Sequence, residues 1–231
     1  MSTYFVHLNE LRKRLIRSSL LLLAIFIGFF SVDGHLYHWI AKPILLELPH
    51  GSLIATDVIT PFTVPMRLAF TCTLFVAVPY LFFELWAFIS PGLQGREKRT
   101  FLPLVLLSIV LFYIGVGFSY FLICPLALNF FASVTPPGVA RMTDIKAYLD
   151  FVLTLLFAGG IAFQVPVITI AVVRFGWVTL EQLKHFRPYI IVAAFVLGML
   201  LTPPDVISQL LLAIPMWGLF ELGLLTASRA N

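Results

Sequence analysis

Long apolar runs alternate with short polar islands along this chain. Residues 18–32, 68–89, 101–131, 148–173, 189–201 and 206–225 are apolar almost throughout. They read as six membrane-spanning helices, since about 20 apolar residues at ~1.5 Å each cross a hydrocarbon core of ~30 Å. Before the first run, Phe5, Leu8, Leu11 and Leu15 recur at three- and four-residue spacing among charges. Residues 4–17 are therefore expected to lie on the membrane surface as an amphipathic helical arm. The third run would be roughly 45 Å long, so it must tilt or project from the bilayer. The fifth would reach only about 20 Å. Two short spans at the C-terminal end, joined by the turn Leu201-Thr202-Pro203-Pro204-Asp205, imply a thinned bilayer or incomplete crossing. Pro79, Pro103, Pro125, Pro166 and Pro215 fall inside runs. Each removes a backbone hydrogen bond and bends its helix, which suggests a curved wall. Residues 35–48 could form a short interfacial helix, and residues 132–147 a second external loop. The expected fold is all-α, one polytopic membrane domain covering the whole chain.

Composition agrees. The chain is 60% hydrophobic and 11% charged, with mean hydropathy +1.01; soluble domains carry about 25% charged residues. Eleven Lys and Arg fall on the arm, the even-numbered polar islands and the tail, against Lys42, Arg67, Arg141 and Lys146 on the other side. Both termini are therefore expected in the cytoplasm. The net charge of +4 resides in loops, which argues for orientation and against a nucleic-acid partner. No basic leader or small-residue cleavage site precedes the first run, so no cleaved signal peptide is expected. Cys72 and Cys124 lie inside runs and read as small buried residues.

Polar residues inside or beside the runs carry the candidate chemistry. Phe88 leads into an island in which Pro91, Gly92 and Gly95 stop the helix and Arg96, Lys98 and Arg99 add positive charge. Glu97, among those bases, is either a solvated loop charge or a contact for a cationic partner. Glu84 and Glu221 lie about one turn from the cytoplasmic ends of their runs and are expected to snorkel to the interface. Gln164 stands deep in the fourth run, after Gly159 and Gly160. Its amide needs an internal hydrogen bond or a helix from another chain. Thr202 and Gln209 could share that polar patch. No nucleophile–base set, phosphate loop or metal motif occurs, so neither enzyme nor cofactor is expected. His35 and His38 lack a third ligand, and no metal is expected.

Several strings together resemble the TatC family, the receptor subunits of the twin-arginine protein translocase. They are His7-Leu8-Asn9-Glu10-Leu11-Arg12-Lys13-Arg14-Leu15, Ala55-Thr56-Asp57 before Pro61-Phe62, Trp86-Ala87-Phe88-Ile89-Ser90-Pro91-Gly92-Leu93, Phe112-Tyr113-Ile114-Gly115, Phe163-Gln164-Val165-Pro166 and Gly198-Met199-Leu200-Leu201-Thr202-Pro203-Pro204-Asp205. They run in order over nearly the whole chain. The resemblance implies export of folded proteins across the bacterial inner membrane, driven by the proton-motive force. It implies that Glu10 and Glu97 receive the paired arginines of a signal peptide, with Arg12 and Phe88 at other sensitive positions. It implies that Gln164, Met199, Thr202 and Gln209 dock single-span TatA- and TatB-type subunits. Membrane lipid and self-association complete the implied partners. Where this chain has Gln164 the family commonly has glutamate; a carboxamide can hydrogen-bond there but cannot titrate. The competing reading, a small-solute secondary transporter, calls for an internal repeat and a charged midplane site; the sequence offers neither.

Overall fold

A computed structural model of the protein describes residues 2–31, 54–89, 98–136, 143–201 and 206–229. The expected interfacial helix at 35–48, with His35 and His38, lies outside them. So do Glu97, residues 137–142 and the turn carrying Thr202.

The described residues are almost entirely helical. Helix α1 (Ser2–Phe30) contains both the amphipathic arm and the first apolar run as one uninterrupted helix. No proline or glycine stands between them, so nothing stops the helix at the interface. Helix α2 (Thr60–Ile89) carries Pro65 and Pro79 internally. Helix α3 (Lys98–Phe118) passes through a π-helical turn, Ser119–Ile123, into α4 (Cys124–Ser133). Pro125 lacks the N–H that a regular helix would need there, and the wider turn before it accommodates the loss.

The fourth run divides at Gln164 into α5 (Ile145–Ala162) and α6 (Val165–Arg174). Pro166 supplies the reason, since its ring displaces the carbonyl four residues back. Gly176, at φ 66°, ends α6 in the left-handed conformation that glycine adopts without strain. A short helix α7 (Leu180–His185) opens with a capping box between Thr179 and Gln182. Helices α8 (Arg187–Leu201) and α9 (Val206–Arg229) follow. The stretches 60–88, 101–133, 145–174 and 209–228 are long and apolar enough to cross a membrane. Helix α8 is short, with 15 residues, as expected, whereas α9 extends to 24.

Helix α1 packs on α2, α3 on α5, and α9 on both α6 and α8. The crossing of α3 and α5 is set by glycine. A Cβ at Gly159 would fall on Ser119 Oγ and 2.7 Å from the Gly115 carbonyl oxygen; one at Gly160 would lie 2.6 Å from the Phe112 ring. The close approach that Gly159 and Gly160 permit is thus taken by a helix of the same chain. The described buried residues form two apolar clusters. One gathers Ile123, Cys124, Leu149, Val152 and Leu212. The other gathers Trp86, Leu104, Val167 and Ala227 near the predicted cytoplasmic side. Helices α1, α2 and α5 line an open hollow of about 980 Å³. The Arg67–Asp150 ion pair stands on its wall.

At the opposite end, predicted to be external, Ile54 pairs with Asp144 in a single parallel bridge. Asp144 caps α5 by accepting from the N–H groups of Lys146 and Ala147, and it also accepts from the N–H and hydroxyl of Thr56. The Thr56 hydroxyl does most to lower the Asp144 carboxyl, to about 2. Asp57 sits 3.6 Å from the Lys146 amine. The Ala55-Thr56-Asp57 motif therefore fastens the approach to α2 onto the start of α5.

Candidate functional site

Three groups of polar side chains stand where an apolar chain would not place them without a partner. The first joins α1 to α2. The arm keeps 3.6-residue periodicity into the span, so Glu10, Arg14 and Arg17 share one face of α1. Glu84 and Tyr80, one turn apart on α2, meet that face. Arg14 donates from Nε and Nη2 to Glu10 Oε1 at 3.2 and 2.7 Å, and from Nη1 to Glu84 Oε2 at 2.6 Å. Tyr80 donates its hydroxyl to Glu84 Oε1 at 2.9 Å. Arg17 Nη1 lies 3.7 Å from the same oxygen. The bond to Glu10 does most to raise the Arg14 guanidinium above its ordinary pKa; partial burial opposes it, and the bond to Glu84 adds to it.

Glu84 does not snorkel. Its side chain is only 9% exposed, against 35% for Glu10. Two arginines on α1 and the Tyr80 hydroxyl solvate its charge inside the protein, removing the need to reach water. Arg14 and Glu84 escaped notice in the sequence as a pair. The signal was present, in a carboxylate one turn inside a run and bases at i and i+3 on the preceding helix. Arg12 is exposed and Phe88 half-buried.

The second group lies within the bundle. Gln164 is 8% exposed, and its amide nitrogen donates to the backbone carbonyl of Ser108 at 3.0 Å. Trp86 donates its indole N–H to the Ser108 hydroxyl, also at 3.0 Å. Ser108 on α3 thus links α2 to the break between α5 and α6. Of the two expectations for Gln164, the internal hydrogen bond is the one present in this chain.

The third group is on α8 and α9. Gln209 donates to the Phe195 carbonyl at 2.9 Å, tying the two helices together. Met199, on α8, is 58% exposed. Nearer the predicted cytoplasmic end, Arg187 and Glu221 form an ion pair at 2.7 Å, so Glu221 also has a protein partner. Among the described residues, no three His, Cys, Asp or Glu side chains come together to hold a metal ion. The structure does not bring Gln164 against Glu10; they belong to separate groups.

Residues 6–215 match the profile of the family described as Sec-independent protein translocase protein (TatC). The chain belongs to the TatC family. It is 50% identical over 224 residues to the Sec-independent protein translocase protein TatC of Azotobacter chroococcum mcd 1, covering 96% of this chain and 88% of that protein. It is 46% identical over 218 residues to the TatC of Escherichia coli K12, covering 94% and 84%. The crystal structure of the twin arginine translocase receptor TatC in DDM superimposes with a TM-score of 0.87 at 36% identity, covering 96% of this chain and 99% of that one. TatC is a translocase family and not one named for catalysis. Nothing here favours the small-solute transporter reading.

Proposed function

We propose that this chain is the receptor subunit of a twin-arginine translocase in the bacterial inner membrane, both termini facing the cytoplasm. It binds twin-arginine signal peptides at its cytoplasmic face. With single-span partner subunits of the TatA and TatB type, it exports folded proteins on the proton-motive force. The observation that carries this reading is Glu10: a partly exposed carboxylate on the amphipathic arm, already engaged with a guanidinium. Such a carboxylate can meet the rigid fork of a peptide arginine bidentately, which lysine cannot copy. Glu97, in the basic island, would supply the second carboxylate, with Arg12 and Phe88 flanking the path.

Partner helices would dock along α8 and α9, where Met199 is exposed and Gln209 and Thr202 supply polar groups. Gln164, buried among α3, α5 and α6, would support that surface from within. Site-specific photo-crosslinking tests the reading. Probes at positions 10 and 97 should capture an Arg-Arg signal peptide, and a probe at 199 should capture a single-span subunit. Capture of the peptide from 199 but not from 10 or 97 would overturn the assignment.

A further inference from the structure

The Glu10 site already contains an arginine. Arg14 spends Nε and Nη2 on Glu10 and its remaining nitrogen on Glu84. With Arg17 beside Glu84, the two carboxylates and two guanidiniums leave the cluster formally neutral. A cationic peptide arriving at Glu10 therefore meets a carboxylate whose Oε1 already accepts two N–H bonds from Arg14. It gains a two-oxygen contact only if Arg14 gives up Oε1.

Arg14 has somewhere to go. Glu84 is almost wholly buried and holds Arg14 Nη1 at 2.6 Å, its shortest hydrogen bond, with Tyr80 bracing the other carboxylate oxygen. Leaving that buried charge without Arg14 would be costly, so Arg14 cannot depart from the cluster. It can turn about the Glu84 contact, surrendering Glu10 while keeping its other partner.

We propose that Arg14 is an internal stand-in for the signal-peptide arginine, and that Glu84 is the positioning residue that receives Arg14 when the peptide takes Glu10. This rests on the assignment of Glu10 as a peptide-binding carboxylate. It adds a source of specificity. To take both oxygens against the two-nitrogen hold of Arg14 on Oε1, the incoming group must offer a fork of its own. A guanidinium can do so, whereas an ammonium is a point charge. Competition from Arg14 thus widens the preference for Arg-Arg over Lys-Lys.

Equilibrium binding of labelled Arg-Arg and Lys-Lys signal peptides to the full chain in detergent tests this. Glu84→Gln should weaken Arg-Arg binding about three- to tenfold, because Arg14 then settles wholly on Glu10. Adding Arg14→Gln to that variant should restore the affinity to within about twofold, a rescue that a purely structural Glu84 would not allow. Arg14→Gln alone should narrow the ratio between the two peptides. The proposal is overturned if Glu84→Gln leaves affinity unchanged while Glu10→Gln lowers it, if the double variant binds as poorly as Glu84→Gln, or if Arg14→Gln leaves the ratio intact. If Glu10→Gln itself has no effect, the underlying assignment fails and this inference with it.

Discussion

The side-chain amide of Gln164 donates a hydrogen bond to the backbone carbonyl of Ser108, 3.0 Å away across the boundary between two helices. That contact satisfies an amide placed at the point where Pro166 interrupts the fourth span. It also accounts for a polar residue in apolar surroundings without invoking another chain.

Gln164→Leu should therefore destabilise the isolated protein. Side-chain hydrogen bonds between membrane helices contribute about 0.6 kcal/mol on average and up to ~1.7 kcal/mol. A lower midpoint of heat-induced aggregation in detergent is the expected result. Because Trp86 bonds the same serine, Trp86→Phe combined with Gln164→Leu should not be additive. A midpoint equal to that of the unaltered protein would show that the bond contributes nothing.

Gly159 is predicted to be the least replaceable of the described glycines. The Cβ of Gly159→Ala would fall on Ser119 Oγ and press against the Gly115 carbonyl, and overpacking of this kind costs about 1–3 kcal/mol. Gly117→Ala meets nothing within 4 Å and should be tolerated. Ser119 is buried with no hydrogen-bond partner for its hydroxyl, so Ser119→Ala should be neutral or stabilising. It should also partly rescue Gly159→Ala. Yields of folded protein and thermal midpoints of the four variants check the order.

Acid should loosen the join between residues 54–57 and the start of α5 through Asp144. Its carboxyl is held at about 2 in the fold, below its ordinary value of 3.8. A depressed carboxyl stabilises the fold fully above its unfolded pKa and loses that contribution as pH falls through the folded value. The loss should thus appear between about pH 4 and about pH 2. Asp144→Ala should lower the thermal midpoint at neutral pH and make this acid step smaller. An acid step of undiminished size in that variant would assign it to other carboxylates.

Glu10→Gln and Glu97→Gln should each leave membrane insertion intact and weaken Arg-Arg peptide binding about ten- to a hundredfold, as expected for charge-assisted bonds of about 1.5–3 kcal/mol. Lys-Lys peptides, weaker binders from the start, should lose less. Equal losses for the two peptides would mean that these carboxylates do not read the arginine pair.

The pattern of runs and islands alone determined that the chain is a helical membrane protein. Most of the described helix ends fall within a few residues of the runs, because apolar periodicity and proline act locally, but the expected arm is continuous with the first span and α2 begins at Thr60, not at 68. The pattern also showed that Glu84 and Gln164 were out of place. It did not show what they touch. Arg14 and Glu84 are 70 residues apart, and Gln164 and Ser108 are 56. Whether such groups meet depends on how each helix is rotated about its axis and how closely it crosses its neighbour. The contact between Gly115 and Gly159 and the packing of α1 on α2 decide that. Hence the sequence marked Glu84 as a candidate for the interface, and only the tertiary structure placed two arginines and a tyrosine around it, where a buried carboxylate can remain charged.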